Sequence, residues 1–277
     1  MQGYLNQKID VNDPVLISVI DELPLWSAPF GLKLLETIRL KKGMNVLDIG
    51  CGLGFPLIEL AARLGNSCKV YGIDPWERAL ERVRLKMKVY DIKNVAVVHG
   101  YAENMPFENG FFDLIVSNNG INNVNDMNQT LNECYRVCKL DAQMTITLNL
   151  EKTMIEFYDV FRETLAENCM YDEVKKMKEH IYSKRKPLDE IKSRLVDKGF
   201  SIKKIFHDSF KLRFVDGTTM LNHYLIRYWF MDGWKKVLLP KNITTIFERI
   251  ESKLNQVAEL KGEIVLTIPY VTIDCRK

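Results

Sequence analysis

Residues 44–65, MNVLDIGCGLGFPLIELAARLG, set a glycine-rich turn between two differently patterned apolar segments. The first, MNVLDIG (44–50), is a continuous apolar run bounded by glycines, as a strand buried on both faces requires. The second, PLIELAARLG (56–65), repeats its apolar positions at helical spacing and stops at Gly65, a residue suited to a helix C-terminus. Glycines at such a strand-to-helix turn allow a ligand to approach the backbone that side chains would block. The next apolar run, CKVYGIDPW (68–76), carries an acid, Asp74, at its end. A bare glycine pattern is weak evidence; strand before, helix after and acid on the next strand are the context that gives it meaning.

The same alternation continues through the first 150 residues. Asp13-Pro14 reads as an N-cap with proline at the first helical position, opening a helix over Val15 to Ile20. A second helix spans Phe30 to Arg39. After 68–76 comes the helix WERALERVRLKMKVYDI, then strands at 94–100, 112–118 and 142–150. The segment MNQTLNECYRVCKL supplies a helix between the last two. Five strands with helical crossovers predict a doubly wound α/β sheet. Beyond it, residues 151–186 and LDEIKSRLVDKGF read as helices, and 201–214 as a strand. The aromatic-dense 223–234 and a long helix near ITTIFERIESKLNQVAEL follow. A final strand at 263–275 contains Pro269, where a bulge or an unpaired position is expected because proline cannot donate to a ladder.

Composition narrows the class. Of 277 residues, 47% are hydrophobic and 27% charged, the make-up of an ordinary globule. Lys and Arg number 39 against 36 Asp and Glu, a net +3, far from the basic excess of a dedicated nucleic-acid binder. No uncharged apolar run reaches the roughly 18 residues of a membrane span, and MQGYLNQKIDVNDP does not resemble a signal peptide. The six cysteines (Cys51, Cys68, Cys134, Cys138, Cys169, Cys275) form no C-x-x-C pair. Cys134 and Cys138 lie four apart on an expected helix and read as core packing rather than a metal site. His99, His180, His207 and His223 include no i, i+4 pair, so a helical zinc site is not expected. Together these favour a cytoplasmic protein without a metal.

Two ligand classes compete for the glycine turn. A dinucleotide site needs G-x-G-x-x-G/A so that the pyrophosphate sits on free N–H groups. Here the sixth position is Phe55, which adds bulk, and the next is Pro56, which has no N–H. Asp48 puts a carboxylate beside the turn, unfavourable near a diphosphate but suited to a ligand carrying ammonium and sulfonium charges. Electrostatics therefore favours S-adenosylmethionine over NAD.

At this point the chain resembles the class I S-adenosylmethionine-dependent methyltransferases, nearest to the methyltransferase type 11 or ubiquinone/menaquinone-biosynthesis-like group. The resemblance covers about residues 44–150. It rests on VLDIGCGLG (46–54), GIDPW (72–76), HGYAENMPF (99–107), FDLIVSNNGINNV (112–124) and ECYRVCKLDAQMTIT (133–147), the last in place of the usual E-x-x-R-V-L-K-P-G-G. It implies a Rossmann-like seven-stranded sheet of order 3-2-1-4-5-7-6 with helical cap insertions. It also implies a cofactor set. Gly50, Gly52 and Gly54, with Cys51 in the turn, would flank the methionine part, and Asp48 would orient its amino group. Asp74 would accept from both ribose hydroxyls, and Pro75 and Trp76 would cover one adenine edge. Ala102 would offer its N–H to the ring and Asn118, beside Asn119, its carbonyl to the amine. Relatives often carry Asp where Tyr101 stands, so Tyr101 or Glu103 must meet the adenine amino group. Leu140-Asp141-Ala142 replaces the usual Pro-Gly-Gly turn, which questions its local geometry.

The expected organisation is one methyltransferase domain, 1–277. It comprises N-terminal helices and lid (1–43), a cofactor core (44–150), a helical insertion (151–200), and the last two strands with a second insertion (201–277, inserted helices 215–262). Methyl transfer from a sulfonium is an in-line displacement served by alignment and exclusion of water, with a base needed only if the acceptor must lose a proton. The expected acceptor is a small organic molecule, with no membrane or nucleic-acid partner; a homodimer is compatible with the sequence. The loop DELPLWSAPFG and segment 223–234 are the candidate substrate caps, and Trp26, Ser27, His207, His223 and Tyr224 the candidate substrate-side residues. An RNA or protein methyltransferase is supported only by KKMKEHIYSKRKP (175–187), a charge run that normally marks a solvated face. A non-catalytic S-adenosylmethionine-binding protein shares every cofactor motif.

Overall fold

The structure, a computed structural model, describes residues 3–6, 9–21 and 25–277. Within the expected DELPLWSAPFG loop, Glu22, Leu23 and Pro24 lie outside the described residues. In chain order the elements are α1 (Pro14–Asp21), α2 (Ser27–Thr37), β1 (Asn45–Ile49), α3 (Leu57–Leu64), β2 (Lys69–Asp74), α4 (Glu77–Val89), β3 (Val95–His99), β4 (Phe112–Asn118), α5 (Met127–Val137) and β5 (Cys138–Asn149). They continue with α6 (Ile155–Glu167), α7 (Tyr171–Lys184), α8 (Leu188–Asp197), β6 (Ser201–Phe214), α9 (Gly217–Asn222), α10 (Met231–Lys235), α11 (Ile243–Lys261) and β7 (Ile264–Arg276). Two compact units result. One holds Asp10–Asn149, Pro187–Asp208 and Tyr270–Lys277; the other holds Met1–Ile9, Leu150–Lys186 and Ser209–Pro269.

The strands form one sheet of order β3-β2-β1-β4-β5-β7-β6, as the resemblance implies. The pairs from β3 through to β5 are parallel, and β7 runs antiparallel to β5. β1 lies between β2 and β4, so the strand order reverses beside it. The carboxyl ends of the strands at such a reversal are the place where open α/β sheets bind ligands.

In the sheet-bearing unit, α2, α3 and α4 press Leu34, Leu57, Leu60, Leu80 and Val83 onto the strand residues Val46, Val70, Leu114 and Val116. The Gln143 carboxamide on β5 secures the end of α2, its oxygen accepting the Arg39 N–H and its nitrogen donating to the Thr37 carbonyl. α1 begins as its sequence predicts, with the Asp13 carboxylate accepting the Val15 N–H at 2.8 Å.

The α5–β5 junction departs from expectation. The helix ends at Val137 instead of continuing to Leu140, and Cys138 already belongs to β5. The Arg136 and Val137 carbonyls are taken by the N–H groups of Gly110 and Phe111 from the loop before β4. Cys134 and Cys138 therefore do not share a helix face; both are buried, and burial pushes the Cys138 thiol up to about 12. Where Pro-Gly-Gly is usual, Asp141 takes φ 62° and the β4–β5 register shifts between Phe112 and Leu114.

The helical unit is built on aromatic packing. Phe157 of α6 stacks on Trp234 of α10 at 3.7 Å, and Phe161 and Phe247 are fully buried beside them. Gly217 lets α9 approach α11: a Cβ there would stand 2.4 Å from Leu254 Cβ. The β5–β7 ladder stops at Asn149–Tyr270, one residue before Pro269, whose carbonyl accepts from Leu150 instead. Among the described residues, no helix is long and apolar enough to cross a membrane.

Candidate functional site

At the carboxyl end of β1 the chain makes the expected turn. Gly50, Gly52 and Gly54 take φ of 71°, 49° and 99°, values that disfavour any residue with a Cβ. Gly50 N–H donates to Ile73 O at 2.9 Å and Gly52 N–H to the Asp74 carboxylate at 2.9 Å. The other Asp74 oxygen accepts the Trp76 N–H at 2.8 Å. One carboxylate thus ties the glycine turn to the loop after β2. Burial raises its pKa, while the Trp76 and Gly52 N–H groups and His99 oppose the rise. A side chain at Gly52 would meet nothing within 4 Å, so its backbone stands open to a ligand.

Asp48 is fully buried. Neither of its oxygens has a hydrogen-bond partner among the described residues. Burial first, and the negative charge of Asp74 second, push its pKa well above the carboxylate range; the Leu57 N–H opposes this without a formed hydrogen bond. An unpaired buried carboxyl is costly to keep unless a ligand with donors and positive charge satisfies it. Together with the open glycine backbone and the Asp74 carboxylate, it fits a ligand bearing an ammonium at one end and hydroxyl donors at the other. Cys51 is 1% exposed, and burial, Asp48 and Asp74 hold its thiol protonated, which suits packing rather than nucleophilic chemistry.

The remaining candidates on this unit lie at the end of β4, on the loops after β2, β3 and β4, at the start of α2 and on β6. Pro75 is exposed and Trp76 half-buried, its indole N–H donating to Val11 O at 3.1 Å. Tyr101 is exposed and Ala102 buried. One Glu103 oxygen accepts the N–H groups of Asn125 and Asp126, shaping the loop beyond β4. Asn118 donates to Ser27 O at 3.0 Å and accepts from the Thr147 hydroxyl, joining the start of α2 to β4 and β5. Asn119, at φ 59°, accepts from Asn122 and from the Asn149 N–H. Trp26 packs edge-on against Phe30 at 5.5 Å. His207 is exposed on β6. His223 and Tyr224 belong to the helical unit, where their rings lie 4.3 Å apart and burial lowers the His223 pKa.

Several residues of the same unit were not singled out by the sequence. Thr147, Asn149 and Asn122 complete a carboxamide and hydroxyl network around Asn118 and Asn119. Tyr270, from the far end of the chain, donates toward Asp208 and Pro29 O, each at 3.2 Å. Burial and Asp208 push its phenol up to about 12. The Asn-rich NNGINN run was the available signal for Asn122, whereas Thr147 and Asn149 lie on β5. Only β7 pairing could have located Tyr270. The E-x-x-R pair proves structural: Glu133 is bonded to Arg136 and accepts the Met105 N–H, while Arg136 donates to the Met105 and Phe107 carbonyls, fixing the loop after Glu103.

N-terminal elements are stapled to α4 and through it to the glycine turn. Asp21, at the end of α1, pairs with Arg82 at 2.6 Å and with Lys86, and Lys86 also donates to the Leu53 carbonyl of the glycine turn.

A family profile described as a methyltransferase domain matches residues 40–248. The chain belongs to that family. Among curated relatives, the demethylmenaquinone methyltransferase of Listeria welshimeri is 38% identical over 110 residues, covering 40% of this chain and 47% of the relative. That of Bacillus mycoides is 35% identical over 125 residues, covering 44% and 53%. This methyltransferase-family chain therefore spans about half the length of the curated relatives it matches. Among solved structures, the YcgJ protein of Bacillus subtilis superposes with a TM-score of 0.60 at 14% identity, covering 90% of this chain and 98% of that one. A SAM-dependent methyltransferase of Aquifex aeolicus gives 0.52 at 24% identity, covering 72% and 92%. These two likenesses concern the fold.

Gly120 backs directly onto the turn of this methyltransferase-family site. A Cβ there would stand 2.6 Å from Ile49 O and 3.2 Å from Gly50 Cα. Gly120→Ala is therefore expected to destabilise the protein by about 1–3 kcal/mol through overpacking against backbone. The midpoint of urea unfolding checks it; an unchanged midpoint would show that the turn can move aside.

Proposed function

We propose that this chain transfers a methyl group from S-adenosylmethionine to a small organic acceptor. The observation that carries this reading is Asp48: a fully buried carboxylate without a hydrogen-bond partner among the described residues, at a glycine turn. It complements the ammonium of S-adenosylmethionine and opposes a diphosphate. When bound, the cofactor supplies a methyl group activated by a sulfonium leaving group. Asp48 would hold the ammonium end, with Gly50, Cys51, Gly52 and Gly54 lining the turn and Asn118 and Asn119 beside it. Asp74 would accept the ribose hydroxyls, while Pro75, Trp76, Tyr101, Ala102 and Glu103 meet the base. The work left to the protein is alignment of the acceptor and exclusion of water.

The reading includes one elaborated domain, its core interrupted in sequence by helices, in a cytoplasmic setting consistent with six free cysteines. The names of the curated relatives make demethylmenaquinone, assayed with a reductant, and smaller hydroxylated aromatics the first acceptors to test. The test is formation of S-adenosylhomocysteine and transfer of labelled methyl across such a panel. Cofactor binding without any transfer across the panel would favour a non-catalytic binding protein. Trp26→Ala is expected to raise the acceptor KM about tenfold, the scale of losing one buried aromatic contact. An unchanged KM and kcat would remove Trp26 from the acceptor site.

A further inference from the structure

Arg185, which follows α7 in the helical unit, is 4% exposed. Among the described residues no carboxylate pairs with it. Among the described residues its side-chain hydrogen bond is from Nη1 to the Tyr158 hydroxyl at 3.4 Å, and its guanidinium lies 5.8 Å from the centre of the Tyr158 ring. Nε is buried with no acceptor among the described residues. The Tyr158 hydroxyl also accepts the Trp234 indole N–H at 3.0 Å. Occupied by two donors, it keeps its own proton for an acceptor that these neighbours do not provide.

The surroundings add positive charge. The His180 ring packs so closely on Gly233 that a Cβ there would stand 2.7 Å away. Burial first, and then the cations Arg185, Lys184 and Lys236, lower the His180 pKa. The C-terminal carbonyls of α7 offer on the order of half a compensating charge. Desolvating an unpaired guanidinium costs several kcal/mol, so a full counter-charge is the missing partner. The Nε–Nη2 side of a guanidinium is a planar two-donor fork that matches the two oxygens of a carboxylate.

We propose that the Nε–Nη2 edge of Arg185, backed by the Tyr158 hydroxyl, is a receptor for the carboxylate of a small molecule. This goes beyond methyl transfer and does not depend on it. Trp234 and Phe157 are fully buried beside Tyr158, so the receptor takes a compact anion first. Formate and acetate are the probes, with phosphate as a second arm and chloride as the control, all at matched ionic strength.

Formate is expected to raise the unfolding midpoint of the wild type with concentration, as a ligand of the native state does, and to shift the Arg185 Nε–H resonance. Arg185→Met should weaken the formate response at least tenfold while being no less stable than wild type in chloride. Tyr158→Phe should weaken it less, and Arg185→Lys, which keeps charge but loses the fork, should not restore it. A wild-type midpoint and Arg185 resonance indifferent to formate and acetate would overturn the proposal, and so would full restoration by lysine. A phosphate response stronger than the carboxylate one would overturn the assignment to a carboxylate.

Discussion

Replacing Asp48 by asparagine is expected to weaken S-adenosylmethionine binding at least tenfold and to raise the stability of the ligand-free protein at pH 8. Both effects come from the same buried charge. A hydrogen bond between charged partners is worth about 1.5–3 kcal/mol, or roughly 10–100-fold in affinity, and the amide, which can still accept from the ammonium, lacks the opposing charge. In the free protein, folding raises the Asp48 pKa well above 3.8 through burial and the charge of Asp74. The folded state therefore binds this proton more tightly than the unfolded chain. The stability it contributes is complete below the unfolded value and is lost as pH rises through the raised folded one. Asp48→Asn should flatten that part of the profile, gaining on wild type at pH 8 and not at pH 4. Binding of an ammonium would draw the Asp48 pKa down again, so calorimetry in buffers of different ionisation enthalpy should record proton release in wild type and less in the variant. Equal affinity in the two proteins would show that Asp48 does not face the cofactor.

Asp74→Ala should cost more, on the order of a hundredfold or greater in affinity for both S-adenosylmethionine and S-adenosylhomocysteine, since two charged acceptor contacts are removed. It also releases the Gly52 and Trp76 N–H groups that the carboxylate holds. Loss of loop order and loss of the ribose contacts proposed for Asp74 would then act together. Titration calorimetry of wild type and variant with both nucleosides and with NAD separates the possibilities. The expected pattern is micromolar-range binding of the first two to wild type, no binding of NAD, and a marked loss in the variant. Tight NAD binding by the wild type would overturn the assignment of the turn to S-adenosylmethionine.

The limits of β1, β2 and β4 followed from local pattern because strands buried on both faces are continuous apolar runs between turn residues, and those of the largely exposed β6 from its alternation. β4 and β6 match their expected limits, and β1, β2 and β3 lie within theirs. The α5–β5 junction did not, because Arg136 and Val137 keep helical side-chain spacing while their carbonyls serve the loop before β4. Of the candidate site, the left-handed glycine turn and its tie to Asp74 were legible, since backbone approach and charge demand those residue types. Residues joined only by tertiary pairing were not. Tyr270 and Asp208 meet across 62 positions, and Arg185 looks from sequence like one member of a solvated basic run. Its burial comes from where α7 ends and where Tyr158 and Trp234 stand, which no local period encodes.

The antiparallel partner of β5 has a consequence for how the chain acquires its fold. Met144, Ile146 and Leu148 are buried on a strand whose second neighbour, β7, is made more than a hundred residues later. On a ribosome the glycine turn emerges complete while that apolar edge is still open, and long-range pairing of this kind is slow and prone to aggregation. Removing residues 270–276 should therefore harm solubility during synthesis more than it harms any contact of the glycine turn.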